Sequence, residues 1–158
     1  MPLQVNGQAV ALDADDPVAL IELLRDRLGL KATRLGCGLE QCGACMVLVD
    51  GLPVHSCGRE ARAFSGRAVT TIEGLSADGL HPLQQALIDE QAGQCGFCLS
   101  GILISGAALL AANPAPSRAE IAAALDGHLC RCGAHNRILA AVERAAAMLG
   151  AGGPHGSR

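Results

Sequence analysis

Apolar and polar positions divide this chain into two halves with different periods. Leu3 to Val5, then Asn6-Gly7, then Val10 to Leu12 predicts a hairpin closed by the favoured Asn-Gly turn. Asp15 or Asp16 offers a helix cap ahead of Pro17, and Leu20, Leu23, Leu24, Arg27 and Leu28 follow with a mostly helical period. A glycine-rich loop comes next. Ala44 to Val49, Asp50-Gly51 and Leu52 to His55 predict a second hairpin, and Ala68 to Ile72 a last strand.

Around Gly74 to Gly79 the period becomes helical. Helices are expected from about Pro82 to Ala92, with Pro82 in first position, and from Leu99 to Ala112, stopped by Asn113-Pro114. A third opens with the capping box Ser117-x-x-Glu120, and a fourth runs from about Asn136 to Leu149. The pattern predicts an α+β chain: a small mixed sheet crossed by one helix over residues 1–76, a β-grasp arrangement, then an all-α four-helix bundle over 77–150. The bundle is two helix–loop–helix units whose loops meet at one end. The Gly/Pro-rich residues 151–158 are expected to form a flexible tail.

Half of the 158 residues are hydrophobic, but many are alanine, and Phe64 and Phe97 are the only aromatics. Such a core buries little area per residue, and a small domain of this kind needs a staple such as a metal. Both halves are therefore expected to depend on one. A net charge of −3 and the near absence of aromatic rings give nothing to bind a nucleic-acid backbone or stack on bases. The N-terminus has no basic or apolar signal region, and the longest apolar run, Gly101 to Ala112, is too short to insert in a bilayer. Synthesis in the reducing cytoplasm is expected, with export alongside a partner left open. In that compartment cysteines read as metal ligands rather than disulfides.

The eight cysteines fall into two groups of four. Cys37, Cys42, Cys45 and Cys57 form C-x4-C-x2-C-x11-C, the spacing with which plant-type ferredoxins hold a [2Fe–2S] cluster. Small residues around the first three let backbone N–H groups approach sulfide and thiolate. Structural zinc favours two compact knuckles instead, and a Rieske centre needs histidine ligands that no Cys-x-His pair here supplies. Residues 1–76 therefore read as a ferredoxin-like domain. Cys95, Cys98, Cys130 and Cys132 form C-x2-C-x31-C-x-C, which is compatible with either iron–sulfur or zinc. Arg131 between two of them either supplies charge to an electron-rich site or is a solvated arginine.

Gly36-Cys37-Gly38 begins like a dinucleotide fingerprint, but the third glycine is misplaced, and there is no P-loop. The chain carries no recognisable flavin or nicotinamide site. His55, His81, His128, His135 and His155 are scattered and read as polar loop or surface residues. Asp89-Glu90 and the Glu22, Arg25, Asp26, Arg27 cluster read as solvated helix faces. No nucleophile–base or paired-carboxylate arrangement stands out, so no catalytic residue is expected here.

Three motifs together resemble the two-cluster small subunits of the xanthine oxidase family of molybdenum hydroxylases. They are Gly36-Cys37-Gly38-Leu39-Glu40-Gln41-Cys42-Gly43-Ala44-Cys45, Gln94-Cys95-Gly96-Phe97-Cys98 and Leu129-Cys130-Arg131-Cys132. The resemblance implies two [2Fe–2S] clusters on this chain and a large catalytic partner that binds molybdopterin and hydroxylates an aldehyde or an N-heteroaromatic compound. Electrons would leave through the Cys95, Cys98, Cys130, Cys132 cluster first and the Cys37, Cys42, Cys45, Cys57 cluster second. Gln94 matches the glutamine that hydrogen-bonds the pterin, and Cys132 the ligand nearest it. Leu99-Ser100, Gly133-Ala134-His135 and His81-Pro82-Leu83-Gln84-Gln85 look more like the isoquinoline 1-oxidoreductase, nicotinate dehydrogenase and aldehyde dehydrogenase branch. That implies a cytochrome c (haem c) acceptor in preference to FAD. Glu40 stands where xanthine oxidases have glycine, which puts the local loop geometry in question. The competing readings are a free-standing two-cluster electron carrier or redox sensor, and a zinc-stapled interaction module.

Overall fold

A computed structural model describes residues 2–13, 15–77 and 79–151. Five short strands, β1 (Leu3–Val5), β2 (Gln8–Val10), β3 (Met46–Val49), β4 (Leu52–His55) and β5 (Ala68–Thr70), form one mixed sheet in the order β2-β1-β5-β3-β4. β1 pairs antiparallel with β2 and parallel with β5, while β3 pairs antiparallel with both β4 and β5. Asn6-Gly7 and Asp50-Gly51 both have positive φ at the two central turn positions, the conformation that matches tight turns to strand twist. Both hairpins form, but β2 covers Gln8–Val10 rather than Val10 to Leu12, β3 begins at Met46 rather than Ala44, and β5 ends at Thr70 rather than Ile72.

The first helix departs from expectation. It begins at Leu20, with neither Asp15 nor Asp16 as its cap, and runs as α1 (Leu20–Glu22) into a wider π-type turn, Leu23–Arg27. Two causes are visible. Pro17 disfavours helical geometry at Asp16, which counts against a helix capped by Asp15. The backbone at Val18 to Leu20 is engaged elsewhere: Ala61 donates to Val18 O and Leu20 to Arg59 O. Asp16 pairs instead with Arg27, and that guanidinium holds its carboxyl below the usual range. Nor is Arg25 merely a solvated residue: its guanidinium donates to Lys31 O and Thr33 O, at 2.7 and 2.6 Å, and shapes the approach to the cysteine loop. Leu20, Leu23 and Leu24 lie over the sheet and bury against Leu3, Val5, Val47, Val49, Phe64 and Val69.

A short helix α2 (Ile72–Leu75) leads into the helical half: α3 (Pro82–Asp89), α4 (Leu99–Ala112), α5 (Arg118–Leu125) and α6 (His135–Ala151). His81 caps α3, its Nδ1 accepting from Leu83 N–H at 3.1 Å, and Ser117 with Glu120 closes the expected box on α5. α3 stops three residues short of the predicted end. Asp89 and Glu90 both pair with Arg144 of α6, tying helix to helix rather than facing solvent alone. α6 continues through Gly150 to Ala151, so the helix takes the first residue of the expected tail; residues 152–158 lie outside those described. Leu83, Ala86, Ile102, Leu110, Ile121, Ile138 and Val142 form a second core, separate from the first. No helix among the described residues is long and apolar enough to cross a membrane.

Candidate metal centres

Cys37, Cys42 and Cys45 sit where α1 and its π-type turn hand the chain to β3, and Cys57 follows β4. Cys37 is exposed, Cys42 and Cys57 half-buried, and Cys45 buried at the foot of β3. The loop wraps its own sulfur: Leu39 and Gln41 N–H donate to Cys37 Sγ, both at 3.3 Å, and Cys37 N–H to Cys42 Sγ at 3.4 Å. Those N–H groups, Gln41 first and Leu39 second, pull the Cys37 thiol down to about 7. Burial, with Cys57 alongside, pushes Cys45 up to about 11. Glycine is needed at 36, because a Cβ there would lie 2.7 Å from Cys42 Sγ.

Glu40 adopts φ 57°, a left-handed conformation that glycine takes at no steric cost. This accounts for the departure at that position. The loop keeps the geometry a glycine would give it, and the glutamate carboxylate packs over Gly58 and pairs with Arg59 at 3.7 Å.

The second four cysteines come from the loop before α4 and the loop before α6. Cys132 and Cys95 sulfurs lie 3.5 Å apart although 37 residues separate them in sequence. Phe97 N–H, then the Cys132 thiol, lower the Cys95 thiol. Burial, then Cys130, pushes Cys98 up to about 12. For Cys130 burial opposes ionisation, but the Ala134 N–H and the Cys98 thiol outweigh it and the thiol is lowered. Arg131 is exposed between its two neighbours. Gln94 reaches across the same loop pair, its Nε2 donating to Cys132 O at 3.4 Å.

Each set of four resolves into two sulfur pairs: Cys37 with Cys42 and Cys45 with Cys57, then Cys95 with Cys132 and Cys98 with Cys130. A [2Fe–2S] cluster takes four thiolates, two on each iron, so donors arranged two by two fit it. The high values at Cys45 and Cys98 fit as well. Thiolates in those half-dry positions need adjacent cationic charge, which iron supplies.

The two sets are tied together by polar contacts that the sequence does not suggest. Leu129 N–H donates to Cys42 O at 3.1 Å, and Ser100 Oγ donates to Ala44 O at 2.8 Å. Phe97 packs beside Gly36 and under the Arg34 guanidinium, 6.0 Å from the ring centre.

His128 corrects the reading of the histidines as surface residues: it is 4% exposed, beneath the contact between the halves. Burial first, and His55 second, push it down to about 4, so the ring is neutral. Its Nε2 meets Ser105 Oγ at 2.8 Å, and its Nδ1 has no hydrogen-bond partner among the described residues. The signal that could have exposed it was its partner: Ser105 is a polar residue in the otherwise apolar run 101–112. Ser105→Ala would strand a second buried ring nitrogen at a cost of about 1–3 kcal/mol. Alanine's better helix propensity returns only about 0.5 kcal/mol. Thermal denaturation of the iron-loaded protein should show the melting point several degrees lower.

Residues 3–69 match the 2Fe-2S iron-sulfur cluster binding domain, and residues 71–143 match the [2Fe-2S] binding domain. A nicotinate dehydrogenase subunit from Pseudomonas putida is 48% identical over 145 residues, covering 91% of this chain and 92% of that one. The chain belongs to the iron–sulfur subunits of the xanthine oxidase family. The alpha subunit of isoquinoline 1-oxidoreductase from Brevundimonas diminuta is 46% identical over 143 residues, covering 90% of this chain and 94% of the relative. The crystal structure of quinoline 2-oxidoreductase from Pseudomonas putida 86 superposes with a TM-score of 0.88 at 36% identity, over 97% of this chain and 96% of that one. The iron–sulfur subunit serves electron transfer within a molybdenum-dependent oxidoreductase and performs no substrate chemistry itself.

Proposed function

We propose that this iron–sulfur subunit receives electrons from a molybdopterin centre on a large catalytic partner and passes them outward through two [2Fe–2S] clusters. Cys95, Cys98, Cys130 and Cys132 would hold the cluster nearer the partner, and Cys37, Cys42, Cys45 and Cys57 the outer one. The domains would be residues 1–76, a β-grasp ferredoxin-like unit, and 77–150, in which α3 to α6 act as a pseudo-twofold four-helix bundle closing one cluster between its loops.

The observation that carries this is the pairing of Gln94 with Cys132. Two residues 38 apart in sequence meet at the exposed end of the second cysteine set, where a partner's pterin can take the amide in place of the Cys132 carbonyl. A bound cluster supplies the one-electron redox capacity; the protein's part is to orient thiolates, hold N–H groups on sulfur and keep the buried sulfurs dry. The relatives named above act on nicotinate, isoquinoline and quinoline, which supports an N-heteroaromatic substrate for the complex, with an aldehyde as the other class. A cytochrome c acceptor is favoured over FAD by the likeness at Leu99-Ser100, Gly133-Ala134-His135 and His81 to Gln85. The chain itself is expected to work without entering a membrane; the final compartment follows the partner.

Isolation of the native complex tests this. The expected result is co-purification with a larger molybdenum-containing protein and a further chain absorbing as haem c. A red-brown chain isolated alone would be a free-standing carrier, and a colourless zinc protein would end the electron-transfer reading.

A further inference from the structure

The start of α4 carries a glycine at a position where a helix gains from alanine. Glycine in a helix costs up to about 1 kcal/mol relative to alanine, and α4 is otherwise rich in alanine. Gly101 is explained by what lies against it. A Cβ there would sit 1.8 Å from Gly43 O and 3.1 Å from His128 Cε1.

Gly43 is constrained from the other side. Its φ is +75°, and a Cβ on it would lie 2.3 Å from His128 Nδ1. Three ligand-bearing segments therefore meet at one contact, glycine backbone against glycine backbone with the His128 ring beside it. Cys42-Gly43-Ala44 comes from the sheet half, Cys98 runs into α4, and His128-Leu129-Cys130 leads to α6. The bonds Leu129 N–H to Cys42 O and Ser100 Oγ to Ala44 O flank the contact and hold it shut.

We propose that the Gly43–Gly101 backbone contact sets the spacing between the two cysteine centres, making Gly101 a positioning residue for electron exchange between them. This rests on the reading of both centres as [2Fe–2S] clusters. A methyl group at 101 meets backbone, which cannot swing aside as a side-chain tip can, so the two halves must part by more than about 1 Å. Each half keeps its own core, so the cost falls on their relative placement.

Gly106 on the same helix supplies the matched control. A Cβ there meets Leu83 Cδ2 at 2.7 Å, a flexible tip inside the helical half, and touches nothing across the contact. The experiment compares Gly101→Ala with Gly106→Ala in the intact complex. It measures iron content, and then the dipolar splitting in the electron paramagnetic resonance spectrum of the dithionite-reduced protein. Because that splitting falls with the cube of the distance between the two spins, Gly101→Ala should narrow it at full iron content, and inter-cluster exchange should slow. Gly106→Ala should keep the wild-type splitting whatever it costs in melting temperature. An unchanged splitting in a fully loaded Gly101→Ala complex overturns the proposal. So does a half-loaded one, since the contact would then govern cluster assembly rather than spacing. Absence of two clusters from the wild-type complex sinks the functional reading itself, a different failure.

Discussion

Replacing Cys98 with serine should leave a complex in which substrate no longer reduces the Cys37, Cys42, Cys45, Cys57 centre, although dithionite still does. Cys98 is half-buried, and its thiol is pushed up to about 12, so this sulfur carries a negative charge only against iron. Serine's hydroxyl is a harder, far weaker acid, and in that environment it stays protonated and ligates poorly. Iron per molecule should fall by about half, with one [2Fe–2S] site lost. The sheet half has its own core, and its four cysteines are all contributed by residues 37–57, so its spectrum should survive. Electron paramagnetic resonance after substrate and after dithionite separates the two effects. Undiminished reduction of the surviving centre by substrate would show that electrons reach it without passing the Cys98 site, and the order of the relay would be wrong.

Much of this is legible in the sequence because it is written in short-range patterns. Asn6-Gly7 and Asp50-Gly51 specify their turns by the φ they require, and Ser117 with Glu120 specifies a helix start within three residues. The cysteine spacings are readable for the same reason, since the loop wrapped on Cys37 is local. The misses are long-range. Whether Asp16 caps a helix or pairs with Arg27 depends on Arg59 and Ala61 taking the backbone at Val18 to Leu20. His128 reads as a loop histidine because its burial is created by Gly43 and Gly101, neither near it in sequence. Gly101 goes unnoticed within an apolar helix, where a glycine gives no periodicity signal; only the carbonyl opposite explains it.

Withholding iron should unfold the helical half before the sheet half. Of the thirteen buried residues in the helical core, five are alanine and none is aromatic. In the sheet core one of ten is alanine, and Phe64 contributes a ring. At roughly 25 cal/mol per Å² the alanine-rich helical core gains less per buried residue, although the two cores are similar in total. Its loops also have more to lose: Cys95 and Cys132 are brought together across 37 residues, whereas the first three cysteines of the sheet half span only 37–45. Closing the longer loop costs more entropy, and bound metal is what offsets it. In small zinc domains metal binding is worth on the order of 10 kcal/mol, comparable to the whole stability of a domain. Circular dichroism of protein prepared without iron should therefore show most of the helical signal gone. Amide exchange should be fast across α3 to α6 and slower at β1, β3 and β5. Full helical content and slow exchange in α4 and α6 without iron would mean that apolar packing alone holds this half, and that its cysteines serve electron transfer without stapling the fold.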